Sequence, residues 1–381
     1  MDLTWAPEDE AFRLEARTWL EAHKPPLPMP SGETFAGAEA HRRWERELFE
    51  GGWAAVSWPV EFGGRGASLW QWLIFEEEYY AAGLPQRLAI NGIFLLAPTL
   101  FEFGTPDQQQ RYLRRMAAVE DVWCQGWSEP DAGSDLASIS SRAERDDDAG
   151  GWRLHGQKTW TTRGGLSNRL FGLFRTDPTA ERHRGMTYLL VDLQAEGVTV
   201  RPMARLDGDE AAFAEVFFDG AFVPDADVLG EVYHGWEVAM ATTGSERGLT
   251  LRSPGRFKPT ADRLLALCRE RTTEVDGRLR DAVVQGWIDT QAYELKTLET
   301  VTKIVSGAKV GPESSLSKVF WSEMDVALHE TALALLGPDA ERAEDPWVTG
   351  YQFALAGPIY AGTNEIQRNI IAERLLGLPR R

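Results

Sequence analysis

The chain has 381 residues, 43% of them hydrophobic, and a formal charge of −18 at pH 7. This composition is typical of a soluble globular protein, and the length allows two or three domains. The acidic balance argues against binding to nucleic acid, which requires a basic face, and no uncharged apolar run is long enough to span a bilayer.

The cysteine content and the first residues indicate where the protein works. Cys124 and Cys268 are too few for a disulfide framework or a metal cluster, so we expect a reducing, cytoplasmic location and no metal site. Residues 1–20 form an acidic amphipathic pattern rather than a basic stretch followed by an apolar block, which argues against a signal peptide.

An N-terminal α-helical domain is predicted for residues 1–121. Apolar side chains recur there at helical spacing, as at Trp70, Leu73 and Ile74. The proline-rich run at 25–28 predicts a loop between helices.

The central part, residues 122–231, is predicted to be a β domain. Short β-rich runs alternate with turn residues along it, which indicates a small antiparallel β-barrel or sandwich. The clearest runs are 152–154, 186–191, 198–200 and 214–218. The acidic segment 145–151 predicts an exposed hairpin tip.

A C-terminal α-helical domain is predicted for residues 232–381. Helical periodicity returns at Gly235 and continues to Ala372, with an early interruption at Ser253-Pro254-Gly255. The predicted fold class is therefore α+β and multi-domain, with helical, β and helical domains in chain order.

The segment 125–135, QGWSEPDAGSD, is the first that predicts a binding site. Its glycines let backbone N–H groups approach a flat ring closely, and its hydroxyl groups can bond the edge of that ring. The structural alternative is an Asx-type turn that caps a strand.

A second segment with a chemical pattern is 156–164, GQKTWTTRG. Trp160 offers an aromatic face for stacking, and the threonines after it offer hydroxyl donors. The structural alternative is a β-hairpin with a core tryptophan, and because the chain has 15 tryptophans, Trp160 alone is weak evidence.

The third segment is 358–368, PIYAGTNEIQR. Together the three segments resemble the acyl-CoA dehydrogenase family: its Glu-Pro turn leading into Ala-Gly-Ser-Asp, its Lys-x-Trp-x-Thr segment and its C-terminal Gly-Thr signature. Weaker matches between residues 185 and 236 follow in the same order. The resemblance therefore covers nearly the whole chain and is specific at the level of the family.

The resemblance implies the family's fold, with a four-helix bundle as the C-terminal domain, and FAD as the cofactor. It implies α,β-dehydrogenation of an acyl-CoA to the trans-2-enoyl-CoA, in which a carboxylate removes the α-proton and hydride passes to flavin N5. The residues that match flavin contacts are Gln125, Gly126, Trp127, Ser128, Trp160, Thr161, Thr162, Thr363 and Glu365. Those that match substrate contacts are Ser134, Arg247, Ala361 and Gly362.

The catalytic base departs from the commonest family pattern. Many members carry a glutamate immediately before the Gly-Thr pair, where this chain has Ala361, which cannot accept a proton but still supplies a backbone N–H. Other members place the glutamate before an arginine on the first helix of the C-terminal domain, and Glu246-Arg247 matches that pair. The resemblance therefore implies Glu246 as the base, and the alternative is an exposed helical Glu-Arg pair of little energetic value.

Two family segments that reach a neighbouring subunit's FAD are not retained, near residues 251–259 and 335–340. This pattern predicts a heterotetramer with a related subunit, as in family members that act on steroid side chains. The alternative is a homotetramer in which Arg252, Arg256 or Lys258 replaces the lost contacts.

Further alternatives concern the reaction. An acyl-CoA oxidase, an enzyme for acyl carrier protein thioesters and a non-catalytic partner subunit remain open. Family analogy implies an electron-transferring flavoprotein as acceptor. The small residues Gly244, Ser245 and Ala361 suggest room for a branched or ring-bearing acyl group.

Overall fold

The computed structural model describes residues 4–247, 253–271, 275–308 and 311–380, and it describes their side chains except at 245–247. The chain forms two compact units. The sheet unit comprises Met29–Gly66 and Gln86–Glu246, and the helical unit comprises Met1–Pro28, Ala67–Pro85 and Arg247–Arg381.

The described part of the sheet unit contains one sheet of eight strands. The strands are β1 (Trp123–Gly126), β2 (Arg142–Asp146), β3 (Gly151–Lys158), β4 (Arg169–Arg175), β5 (Met186–Asp192), β6 (Val198–Met203), β7 (Phe213–Pro224) and β8 (Val228–Leu229). Their order in space is β6-β7-β3-β2-β4-β5-β8, and β1 pairs with β4. The predicted β runs fall within β3, β5, β6 and β7, and segment 145–151 contains the turn from β2 to β3.

The sheet is mainly antiparallel, as predicted, but β1 lies parallel to β4 with Cys124 opposite Leu170. The chain between β1 and β4 passes through β2 and β3, and this length permits the crossover that parallel pairing requires. The buried face of the sheet is apolar, with Leu154, Phe174 and Val216 in its core.

The sheet unit also contains helices α2 (Phe35–Glu50), α4 (Ala97–Phe103), α5 (Pro106–Ala117) and α6 (Gly235–Arg247), of which α6 ends one residue into the helical unit, and a π-helical turn at Gly92–Leu96. Helix α5 begins with a capping box in which Thr105 and Gln108 satisfy each other's backbone N–H groups. The Gln108 amide also donates to the carbonyl oxygens of Ala226 and Val228, at 2.9 and 2.7 Å, and so joins α5 to the segment at β8.

The helical unit is built from α1 (Pro7–His23), α3 (Leu69–Ala81), α7 (Pro254–Glu270), α8 (Gly277–Val305), α9 (Ser314–Leu336), α10 (Pro346–Ala354) and α11 (Asn364–Ile370). Helices α7, α8 and α9 pack together around Phe257, Leu264 and Trp321. The predicted interruption at 253–255 is the start of α7: Ser253 caps it, and a Cβ at Gly255 would lie 2.8 Å from the backbone of α3. Close packing of α3 on α7 therefore requires this glycine.

The helical, mostly-sheet and helical order of the chain confirms the predicted fold class. In the part of the chain that the structure describes, no helix is both long and apolar enough to cross a membrane. Both cysteines are unpaired thiols, and burial raises the pKa of Cys124 to about 12.

Candidate active site

The structure brings the first two predicted segments together in the sheet unit. The Thr159 N–H donates to the Ser128 carbonyl oxygen at 2.9 Å. Glu129 and Ala132 exchange two backbone hydrogen bonds, at 2.9 and 3.1 Å, and so close the Glu-Pro turn. The hydrogen-bonded turn follows Ser128 directly, and the backbone of Ser128 is bonded to the residue after β3.

A buried ion pair joins the same two segments. Lys158 Nζ lies 2.8 Å from Glu129 Oε1 and 3.3 Å from the Trp127 carbonyl oxygen, and the lysine is fully buried. Glu129 also accepts from the N–H groups of Ser140 and Ser141, at 2.6 and 3.0 Å. Burial alone would raise the pKa of Glu129, but the Lys158 ammonium and these donors outweigh it and hold that pKa below its ordinary value.

On the far side of Trp160, a second buried cation holds the segment. Arg163 has a positive φ of 60°, and its guanidinium donates to the carbonyl oxygens of Arg87 and Leu88 at 2.6 and 3.1 Å. Its Nη2 lies 3.2 Å from Glu33. Lys158 and Arg163 therefore fix both ends of the stretch that carries Trp160, Thr161 and Thr162.

Trp160 stands out from the surface between these two fixed ends. Its φ is 55°, an unusual value for a bulky residue, and 60% of its surface is exposed. Its ring contacts only the edge of Phe213 among the aromatic rings described, with centroids 5.8 Å apart. Strained and exposed aromatic residues of this kind are typical of ligand sites, so the geometry favours stacking over the alternative of a core tryptophan.

Three polar atoms near this surface are buried without a hydrogen-bond partner among the described residues. They are Gln125 Nε2, Trp127 Nε1 and Thr161 Oγ1. Buried polar groups are nearly always satisfied in folded proteins, so such atoms on neighbouring segments indicate a ligand with polar edges. A flavin ring, which has acceptors and a donor along one edge, fits this set.

Other predicted residues of these segments have simpler surroundings. A Cβ at Gly126 would come within 2.9 Å of the Leu170 methyl groups, so strand packing also favours a glycine here. Ser128 and Thr162 are half-buried. Ser134 is exposed, next to Asp135, which pairs with Arg182 at 3.2 Å.

The third predicted segment lies in the helical unit and forms a tight turn. Ala361 and Gly362 both have positive φ, 57° and 81°, and Thr363 caps α11 by accepting from the Ile366 N–H at 3.3 Å. The Gln367 amide donates to the Ala361 carbonyl oxygen at 2.9 Å. The Ala361 N–H has no acceptor among the described residues, which leaves it available to a ligand.

Buried side chains of α9 hold the first turn of α11. Lys318 Nζ donates to Asn364 Oδ1 at 2.7 Å, and the Asn364 amide donates to Ser322 and Glu323, both at 3.1 Å. Glu365 is exposed, and its own N–H and the Thr363 hydroxyl lower its pKa by hydrogen bonding to the carboxylate.

The backbone of α6 extends through Glu246 and Arg247, but the side chains of both residues lie outside the described part of the chain. The roles of the two residues stay predictions. Arg252 lies outside the described residues as well.

The other two cations named for a homo-oligomer are engaged within the helical unit. Lys258 Nζ lies 2.6 Å from Glu294, and the Arg256 guanidinium lies over the ring of Phe353 and 3.8 Å from Asp325. Neither is a free surface cation.

Sequence reasoning missed the supporting residues Glu129, Lys158, Arg163, Lys318 and Asn364. One signal was present: Lys158 is in phase with the buried positions 152 and 154 of β3, and a lysine at an inward position needs a buried partner. The remaining pairings join residues that are far apart in sequence.

Profiles of the acyl-CoA dehydrogenase family match the chain in three parts. The N-terminal domain matches residues 6–120, the middle domain matches 124–221 and the C-terminal domain matches 233–376. The matches cover most of the chain and follow its helical, sheet and helical order.

Two curated relatives carry the name acyl-CoA dehydrogenase IpdE1. The protein from Mycolicibacterium smegmatis is 39% identical over 98% of both chains. The protein from Mycobacterium tuberculosis is 41% identical over 97% of this chain and 98% of its own length.

Solved structures agree with this similarity. A structure described as "Tcur3481-Tcur3483 steroid ACAD" is 26% identical, with a TM-score of 0.88 over 100% of both chains. The ChsE4-ChsE5 complex from Mycobacterium tuberculosis is 26% identical, with a TM-score of 0.83 over 100% of both chains. The chain belongs to the acyl-CoA dehydrogenase family of flavin-dependent oxidoreductases.

Proposed function

We propose that the chain binds FAD and dehydrogenates an acyl-CoA thioester between its α and β carbons, with Glu246 as the base. One observation carries this assignment. Ala361 occupies the turn before Gly362 and Thr363 with its N–H available, and it has no group that accepts a proton, while α6 presents Glu246 beside Arg247.

The bound flavin supplies the acceptor for hydride from the β carbon. The residues of the chain supply the rest of the chemistry. Glu246 takes the α-proton, and the Ala361 N–H donates to the thioester oxygen as negative charge develops there. Arg247 orients the acyl end, and Ser134 contacts the pantetheine arm.

For the cofactor we propose two sets of contacts. In the sheet unit, Trp160 stacks on the ring, and the unsatisfied Gln125, Trp127 and Thr161 groups bond its polar edge together with Gly126, Ser128 and Thr162. In the helical unit, the proposed flavin contacts are Thr363 and Glu365 at the start of α11.

We propose a bulky, ring-bearing acyl-CoA as substrate. The solved structures similar to this chain include one described as a "steroid ACAD", and Gly244 on α6 and Ala361 before the Gly-Thr pair both have small side chains. Coenzyme A rather than an acyl carrier protein is the proposed carrier, because the curated relatives are named for acyl-CoA.

The proposed assembly is a heterotetramer with a related subunit, and the proposed acceptor is an electron-transferring flavoprotein. Support comes from the similar structures described as two-protein complexes and from Arg256 and Lys258, which are engaged within this chain. The two unpaired cysteines support a cytoplasmic location. To test the assembly, the chain is expressed alone and together with each related subunit, and the mass and the FAD-to-protein ratio of each product are measured. Full FAD occupancy in a homomer would contradict the proposed heterotetramer.

Replacement of Glu246 by Gln tests the chemistry. We expect E246Q to retain FAD. The rate at which acyl-CoA reduces its flavin should fall by a factor on the order of 10² to 10⁴, because a general base contributes about that much to the rate. E237Q, an exposed glutamate at the first turn of the same helix, is the matched control and should react normally. Normal turnover in E246Q would remove Glu246 as the base, and peroxide formation at the turnover rate would identify an oxidase.

A further inference from the structure

Three buried hydroxyl groups in the sheet unit form a connected set that has no assigned role in binding flavin or substrate. Thr242 Oγ1 lies 2.9 Å from Thr99 Oγ1 and 3.3 Å from the Tyr188 hydroxyl oxygen. Thr99 is 1% exposed, and Thr242 and Tyr188 are fully buried. The three residues belong to α4, α6 and β5, so the set joins three separate elements.

Each hydroxyl has one proton, and this fixes a consistent direction for the bonds. Thr99 Oγ1 lies 3.1 Å from the Leu95 carbonyl oxygen, at the π-helical turn, to which it can donate. Tyr188 then donates to Thr242, and Thr242 donates to Thr99; the Val238 carbonyl oxygen, 3.1 Å from Thr242 Oγ1, is the other acceptor within reach. Burial raises the pKa of Tyr188, so the phenol stays protonated and remains a donor.

The hydroxyl set connects the flavin segment to helix α6. The Tyr188 ring meets the Trp127 ring edge-on, with centroids 5.4 Å apart at 76°. At the other end, Thr242 precedes Glu246 by four residues on α6, which is about one helical turn. A displacement of α6 relative to Tyr188 would therefore move Glu246 relative to the segment that contains Trp127.

We infer that Thr242, held by Tyr188 and Thr99, is a positioning residue that fixes α6, and with it Glu246, relative to the flavin-binding segment. This assignment takes Glu246 as the base and so rests on the proposed function. Proton transfer from carbon is sensitive to such placement, since a displacement of about 1 Å can slow an enzymatic reaction on the order of 100-fold.

The adjacent residue provides a matched control. Thr243 lies on the same helix and is also buried, at 8% exposure. Its hydroxyl donates to the Met240 carbonyl oxygen at 3.0 Å, and among the described residues its side-chain hydrogen bonds stay within α6. Thr243→Val therefore removes a buried threonine hydroxyl without removing a bond between elements.

The test compares T242V, T242S and T243V in the flavin-loaded full-length protein, with the related subunit if FAD binding requires it. Butyryl-CoA, octanoyl-CoA and a steroid side-chain CoA thioester are first compared with the wild-type protein. The thioester that reduces its flavin fastest is then used for all variants, and flavin reduction is followed by anaerobic stopped-flow. We expect T242V to be reduced roughly 10-fold more slowly at saturating thioester. T242S and T243V should stay within about twofold, with FAD content unchanged in all three.

Two further measurements separate positioning from general stability. Hydrogen exchange, read by mass spectrometry on peptides from 235–247, should be faster in T242V than in T243V. In the E246Q background, T242V should slow the residual reaction no further, because the base through which it acts is absent.

Equal reduction rates for T242V and wild type, or an undiminished effect of T242V in E246Q, would overturn the assignment. If T242V does not fold, Y188F replaces it: this change keeps the ring against Trp127 and removes only the hydroxyl, and it should slow reduction and leave FAD bound. Normal reduction in Y188F would then overturn the assignment. If E246Q itself reacts normally, the proposed function fails, and that result is distinct from normal rates in T242V alone.

Discussion

The sheet unit and the helical unit each bury a lysine beside a segment of the candidate site, but the two lysines meet different acceptors. Lys158 donates to the carboxylate of Glu129 at 2.8 Å, and Lys318 donates to the amide oxygen of Asn364 at 2.7 Å. Both lysines are fully buried. The two segments proposed to bind flavin are therefore joined by a charge pair, whereas the C-terminal turn is held through a neutral amide.

This difference matters because a buried charge and a buried amide respond differently to the loss of a partner. Without Lys158, Glu129 keeps its bonds from Ser140 and Ser141 but loses the opposite charge that compensates its burial. Without Lys318, the Asn364 oxygen still accepts from the Ser322 hydroxyl at 3.2 Å. Around Glu129 the opposite charge of Lys158 is therefore the contact that matters most, whereas the Asn364 oxygen has a second donor.

The largest expected effect comes from removal of each lysine in turn. K158M should lower the free energy of unfolding by about 3–5 kcal/mol, because it leaves an uncompensated buried carboxylate. K318M should cost less than K158M, because the Asn364 oxygen keeps its bond from the Ser322 hydroxyl. Equilibrium urea unfolding measures both, and E144Q, which breaks the exposed pair of Glu144 with Arg142, serves as a control with no measurable change expected. Equal losses in K158M and K318M would contradict the contrast between the two units.

The pH dependence of stability sharpens the same contrast. Because the pKa of Glu129 is lowered in the folded protein, its contribution is complete above the ordinary Glu pKa and is lost as pH falls through the folded value. The difference in stability between wild type and E129Q should therefore shrink as pH falls below about 4. The difference between wild type and K318M should change less across the same pH range, because the Asn364 amide does not titrate and Lys318 acts on the exposed Glu365 carboxylate only as a nearby charge. Urea midpoints at each pH give both curves, and a K318M curve as steep as the E129Q curve would contradict the contrast.

Local patterns in the sequence were sufficient to predict most of the elements but not the contacts that hold the site. The β runs lie where alternation predicted them, and the stop at 253–255 is a helix start because serine, proline and glycine each suit that position. The two segments proposed to bind flavin could be proposed from the sequence because each carries its chemical pattern within about ten consecutive residues.

The supporting contacts were not predictable from those patterns. Lys318 and Asn364 are 46 residues apart, and Thr99 and Thr242 are 143 apart. Only the packing of whole elements decides which of many threonines, lysines and asparagines meet. Periodicity gives the face on which a residue lies and not its partner on another element.

A smaller effect on the fold, but a clear effect on the cofactor, is expected for Trp160. W160A should leave the urea midpoint unchanged or slightly raised, because the side chain is 60% exposed and a smaller residue tolerates the positive φ of 55° better. The FAD-to-protein ratio after gel filtration should fall, because the stacking face is gone. L206A, at a site 79% exposed in the same unit, should keep its FAD. Full FAD retention in W160A would remove Trp160 from the proposed site.

The smallest expected effect is at Ala361, in the turn of the helical unit. The residue has a φ of 57°, where alanine is strained by roughly 1 kcal/mol and glycine is not. Glycine also makes the unfolded chain more flexible by a comparable amount, so A361G should change the unfolding free energy by less than about 1 kcal/mol. Flavin reduction should persist, because glycine keeps the backbone N–H that is proposed to bind the thioester oxygen. If A361G folded, bound FAD and yet failed to react, the alanine methyl group itself would be needed in the site, and this turn would depend on side-chain packing rather than on its backbone.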